Sequence, residues 1–286
     1  MSLALVAAVV ASFLYGLGSV LQAVGARRGG GGVGMRGLAG IVGQAPYVAG
    51  LACDLVGWVL AMYAVDHLPL FAVHTTLAGS VAVTALLAWR VLHTPLGRLD
   101  AVAIAAVLAG LVLVGAAAGP VPDDRGGTAT HALLVGLVPV AVAVGVAAVR
   151  GRHPVLAGAA AGLLFSLGAT CVRTVTLGPT LAHVLGQPTA WAVPAYFGAA
   201  LVVHARALEH GSVGPVTAAL WSAEIVVAAT GGYVLFGDRV RSGGLAWALL
   251  GMALALSATV ALALGPARAA AAASSAASAS SSPSAS

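Results

Sequence analysis

Charge is what this chain has least of. Charged residues make up 7% of its 286 positions and aromatic residues 5%, against 60% hydrophobic residues and a mean hydropathy of +1.03. Lysine is absent, and all thirteen basic residues are arginine. The two cysteines, Cys53 and Cys171, fall inside apolar stretches without CxxC spacing. That excludes a disulfide framework or a thiolate metal site and leaves packing as their reading. No HExxH, no GxSxG and no paired catalytic carboxylates occur, so neither an enzyme nor a bound cofactor is expected. The glycine run at 29–32 follows an apolar segment rather than a strand and lacks the Gly-Lys-Ser/Thr ending of a phosphate loop; it reads as a linker. The formal net charge is +5, but its arginines stand singly or in pairs with no aromatic interleaving. Lipid headgroups are therefore the expected partner, and nucleic acid is not.

What the chain has instead is length without charge. Nine apolar segments, at 3–24, 46–66, 70–91, 100–118, 131–149, 155–177, 190–208, 213–236 and 243–265, each suffice to cross a bilayer. A hydrocarbon core takes about 20 helical residues to cross. Backbone polar groups left unpaired in lipid are costly, so the spans must be helices. The expectation is an all-α polytopic bundle in the cell (inner or plasma) membrane. The first segment has no basic n-region and ends at Arg27-Arg28, which favours an uncleaved span over a signal peptide.

Arginine alternates between loops. Arg27, Arg28 and Arg36 follow the first span, Arg90 and Arg98 flank the loop after the third, and Arg150 and Arg152 follow the fifth. Arg206 ends the seventh span and Arg268 follows the ninth, while the intervening loops hold Asp66, then Asp123, Asp124 and Arg125, then Asp238, Arg239 and Arg241. By the positive-inside rule the N-terminus lies outside and the C-terminus in the cytoplasm. Residues 267–286 are rich in Ala and Ser and are expected to be a disordered cytoplasmic tail.

The chain also repeats itself. The stretch from Ala11 to Gly18 is similar to that from Ala161 to Gly168, and Tyr63-Ala64-Val65-Asp66-His67 parallels Arg206-Ala207-Leu208-Glu209-His210. Spans one to four (residues 1–118) then correspond to spans six to nine (155–266), with the fifth helix in a linker at 119–154. An offset of five helices is odd, so the halves are expected to be inverted in the membrane, a transporter arrangement.

These residues resemble the drug/metabolite transporter (EamA-like) superfamily, and in particular its nine-helix NIPA-like magnesium transporter branch. The resemblance rests on Ser12 to Ser19 leading to Arg27-Arg28, on Gly50, Asp54, Gly57 and Tyr63-Ala64 in the second span, and on Arg206 to His210. It departs where Gln22 and Ala23 stand in place of lysines and Val73-His74-Thr75 in place of a Pro-Leu-Gly. The resemblance implies a secondary transporter moving a small solute or cation by alternating access. Magnesium is the specific alternative, with a non-transporting scaffold or sensor as the other.

Buried charge singles out the candidate site. Glu224 stands mid-way along the eighth span, Asp54 a third of the way into the second, and Arg173 toward the far end of the sixth. A charge at mid-membrane costs ~2.5–3.5 kcal/mol on the insertion scale, so such residues face a bundle interior. Glu224 is either a structural partner of Arg173 or a substrate or ion ligand. Arg173 compensates an acid or binds an anionic group. Trp221, Ser222, Tyr63, Trp58 and His74 are the remaining lining candidates, and Asp54 with Glu224 would supply oxygen ligands to a cation. A homodimer is a further possibility for such a bundle.

Overall fold

The computed structural model describes residues 2–28, 44–92, 97–122, 125–176, 180–210 and 213–280. The linker at 29–32, Arg36, the turn at 94–96 and Asp123-Asp124 lie outside the described residues, as do 281–286. The helices in chain order are α1 (Ser2–Arg28), α2 (Ala45–His67), α3 (Leu70–Ala78), α4 (Ser80–Leu92), α5 (Arg98–Ala117) and α6 (Thr128–Arg150). There follow α7 (Pro154–Thr174), α8 (Leu181–Leu185), α9 (Pro188–His210), α10 (Val213–Phe236) and α11 (Leu245–Ser280). Among the described residues nine helical stretches are long and apolar enough to cross a membrane, counting α3 and α4 as one, and their bounds match the nine sequence segments within a few residues. No strand occurs among the described residues, only an isolated antiparallel bridge between Ala118 and Val240.

The spans are apolar on their outer as well as their inner sides. Leu99, Val102 and Val112 on α5, Tyr233 and Val234 on α10 and Leu201 and Val202 on α9 are all more than half exposed. Water would not tolerate so much contiguous apolar surface on a monomer, whereas lipid requires it. The chain is a polytopic membrane protein.

Two apolar cores organise the bundle. One gathers Leu134 of α6, Leu164 of α7, Tyr196 and Val203 of α9, and Val216 and Leu220 of α10. The other gathers Ala8 of α1, Ala61 of α2 and Val73 and Leu77 of α3, with Ala228 and Phe236 from α10. Trp221 packs against both, so α10 is the seam at which they meet. Within the first core the buried Tyr196 hydroxyl donates to the Leu134 carbonyl at 2.7 Å. It does so just before Pro139, whose ring removes an N–H from α6.

Small residues set the helix separations. A Cβ placed on Gly162 would lie 2.2 Å from the Leu220 carbonyl oxygen, and one on Gly158 2.5 Å from that of Val216. The backbones of α7 and α10 therefore touch directly, which only glycine permits. Pro215 lies in the first turn of α10, where its missing N–H leaves no helical bond unmade. Pro194 lies inside α9.

Two features depart from the sequence expectation. The third span carries a local irregularity: Gly79 keeps a right-handed helical conformation (φ −59°, ψ −18°), but its N–H bonds to the Thr76 carbonyl at 3.0 Å, and α3 passes there into α4. All nine residues of α3 are buried. The last helix runs on to Ser280, through part of the stretch expected to be a disordered tail. Alanine is the strongest helix former, and nothing between 267 and 280 stops the helix.

Candidate functional site

Connectivity places the start of α1, the turn between α2 and α3, and the loops after α5, α7 and α10 on one side, here called the N-terminal face. The candidate site runs inward from there. α3 carries His74 one turn in, and α10 carries Glu224 opposite. His74 Nδ1 lies 2.9 Å from Glu224 Oε1, with the two side chains 2% and 9% exposed. Two atoms that can both accept come this close only with a proton between them. The imidazole ring is held by that bond, while its other nitrogen, Nε2, is buried without a protein hydrogen-bond partner. The neighbouring Thr75 hydroxyl is buried and equally unpartnered. Tyr15 of α1 and His204 of α9 lie within electrostatic reach of Glu224, and Tyr15 within reach of Asp54 as well. Glu224 thus faces the interior between the two cores, as expected, and its immediate partner is an imidazole rather than Arg173.

Arg173 is committed elsewhere. Its Nη1 lies 2.7 Å from Asp238 Oδ1 and 2.8 Å from Oδ2, and its guanidinium sits 4.6 Å over the Phe236 ring. Asp238 is the site residue that sequence reasoning missed, since it reads as a loop charge after the eighth span. Gly237, at φ +65°, ends α10 with a left-handed turn, and the Asp238 N–H returns to the Gly232 carbonyl at 2.9 Å. This folds the carboxylate back into the bundle, where it also accepts the Leu70 N–H at the start of α3, at 2.8 Å. A carboxylate at a helix N-terminus meets an unpaired donor and the positive end of the helix dipole. Burial pushes the Asp238 carboxyl above its usual value, and Arg173 with the Leu70 N–H pulls it back.

The other candidates separate. Asp54 accepts from the side-chain amide of Gln22, while Glu224 is bonded to His74, so each acid has its own partner. No group of three or more His, Cys, Asp or Glu that could share a metal ion is found among the described residues. Ser222 donates to the Ala218 carbonyl of its own helix at 2.7 Å. Trp58 and Tyr63 are more than a third exposed on α2. Trp58 meets Phe197 edge-on, and Tyr63 lies over His67, whose Nδ1 is 2.8 Å from the Tyr63 carbonyl at the helix end. Of the eight sequence candidates, Glu224 and His74 are joined directly, and Trp221 precedes Glu224 by one turn on α10.

Compared with known proteins, the chain matches no family model, no curated protein and no solved structure.

Proposed function

We propose that this protein is a secondary transporter that moves a small solute or cation by alternating access, with the His74–Glu224 pair as its proton-handling centre. The observation that carries the reading is a carboxylate and an imidazole sharing a proton deep in a membrane bundle, with a second imidazole nitrogen unsatisfied. Intramembrane ionisable residues are expensive, and proton relays are among their commonest uses. A buried carboxylate bonded to an imidazole is a place where a proton and a cationic solute would exclude one another, since each compensates the same charge. Competition between proton and solute for one site is all that coupling requires.

Two further features support the transport reading. The tightened turn at Gly79 lies five residues after His74, and a mid-helix departure from α geometry often marks a functional hinge. Gly18 and Gly168 occupy matching places in the internal repeat. A Cβ on Gly18 would collide with Asp54 of α2, and one on Gly168 would come 3.0 Å from Phe197 of α9. Each thus seats the first helix of its half on the second, which is consistent with an inverted pair of four-helix units and with the drug/metabolite transporter resemblance. The test is a proteoliposome screen with an imposed pH gradient, run in parallel for organic cations, neutral metabolites and magnesium. Gradient-dependent movement of any of them supports the reading. Absence of movement across the panel, with correctly folded protein, favours a scaffold or sensor.

Orientation follows the arginine alternation: N-terminal face outside, arginine-rich face in the cytoplasm. In intact cells an impermeant thiol reagent is expected to label Gly127→Cys, where no atom crowds the new side chain, and to spare the exposed His153→Cys. The reverse pattern would place the arginine-rich face outside.

A further inference from the structure

The N-terminal face carries two charged ties, each of which joins the first four-helix half to the second. The first is the buried Arg173–Asp238 pair. Arg173 ends α7 and Asp238 follows α10, both in the second half, while the carboxylate also holds the Leu70 N–H at the start of α3, in the first. The second tie is centred on Arg125, in the loop before α6. Its Nη1 and Nη2 grip Asp66 at the end of α2 at 2.8 and 3.1 Å. Nη1 also donates to the carbonyls of Arg173 and Val175 at the end of α7, at 3.3 and 3.2 Å. Arg125 therefore sits on the backbone that carries Arg173, and the two ties are adjacent links in one chain from α2 through α7 to α10 and α3.

Neither tie is explained by stability alone. A buried ion pair is commonly no more stabilising than an apolar pair of the same volume. Here, moreover, Arg173 Nη2 has no hydrogen-bond partner. A ring of oppositely charged groups does suit a closure that must form and separate as a unit, because each pair has a defined geometry when shut and water to solvate it when open.

We propose that the Asp66–Arg125 and Arg173–Asp238 ties are the gate that closes the N-terminal face, and that opening this face to the His74–Glu224 centre requires both to part. This rests on the alternating-access reading above. Asp238 is suited to the coupling, since it caps α3, the helix that carries His74. Movement of that cap away from Leu70 would shift α3 and with it His74.

The experiment reads gate position directly and needs no substrate. In a Cys53→Ala, Cys171→Ala background, Thr75→Cys places a thiol next to His74; the Thr75 hydroxyl makes no hydrogen bond, so the exchange removes none. Labelling by an impermeant maleimide is measured from each face in right-side-out and inverted vesicles. Arg125→Gln and Asp238→Asn should each speed labelling from the N-terminal face. Together they should raise it by about tenfold or more, as expected when a minor open state gains ~1.4 kcal/mol. Labelling from the opposite face should stay level or fall. A double variant that labels at the parent rate, or that speeds equally from both faces, overturns the proposal: in the first case the ties hold nothing shut, and in the second they merely brace the fold. Should the double variant fail to insert, the half-exposed pair decides alone. Arg125→Gln should speed labelling and the charge-reversed Asp66→Arg, Arg125→Asp chain should slow it again, whereas a reversal as fast as Arg125→Gln overturns the tie. A transport screen without any moving solute leaves this result standing, and a labelling failure leaves transport standing.

Discussion

Replacing Asp238 with alanine is expected to destabilise the protein by ~3–5 kcal/mol, the cost of leaving a buried charge without its partner. Arg173 keeps its proton under all ordinary conditions, so it cannot escape by neutralising. Its guanidinium is 2% exposed and would retain only the Phe236 ring as a favourable contact. The Leu70 N–H would lose its acceptor at the same time. Thermal unfolding in detergent should show the loss. The paired change Arg173→Met with Asp238→Leu should recover most of it, because an apolar pair of similar volume needs no charge compensation. The recovery should stay incomplete by about 1 kcal/mol, the usual worth of a helix N-terminal cap. A single Asp238→Ala chain as stable as the parent would mean that Arg173 finds a second partner and that the geometry around it is wrong.

Gly162→Val should be as damaging for a different reason. The atoms that a new Cβ would strike belong to the Leu220 backbone, at 2.2 Å, and backbone cannot rotate out of the way. α7 and α10 would be forced apart at the turn that precedes Trp221 and Glu224. Overpacking a dense core costs ~1–3 kcal/mol and more when no side chain can yield. The expected result is loss of monodisperse protein on size exclusion. Gly136→Ala, on the outer side of α6 with nothing within 4 Å of the new methyl, is the matched control and should be neutral or slightly stabilising. Equal behaviour of the two variants would contradict the close α7–α10 crossing.

The spans were legible because length and hydropathy are local properties, and nine long apolar runs with at most two charges each read as membrane helices. The pairings were not legible, because they are set by contacts far apart in the chain. Glu224 and His74 each stood out as polar residues in apolar segments, but they are separated by 150 positions and no local pattern joins them. From the sequence, Arg173 stays open between compensating an intramembrane acid and binding an anionic group. Its partner is an aspartate that hydropathy places outside the span and that Gly237 turns back inside. The irregularity at Gly79 was not legible because Leu-Ala-Gly-Ser reads as plain helix. The residue stays helical (φ −59°, ψ −18°) where a Cβ would sit 2.9 Å from both Leu111 Cδ1 and the Thr76 carbonyl. Trp58 and Tyr63 are candidates on residue type alone; each is more than a third exposed, and Trp58 packs against Phe197 of α9.

The central claim is that the proton shared by His74 and Glu224 is used in transport. Glu224→Gln tests it most directly, since the amide keeps the size of the side chain and can still hydrogen-bond to Nδ1 but cannot take up or release a proton. Uptake of whichever solute the screen identifies should be measured in proteoliposomes between pH 5.5 and 8, with and without a pH gradient. The account predicts an inserted, folded variant that has lost gradient-driven accumulation. Accumulation at the parent rate across that pH range would contradict it and return the pair to a structural role.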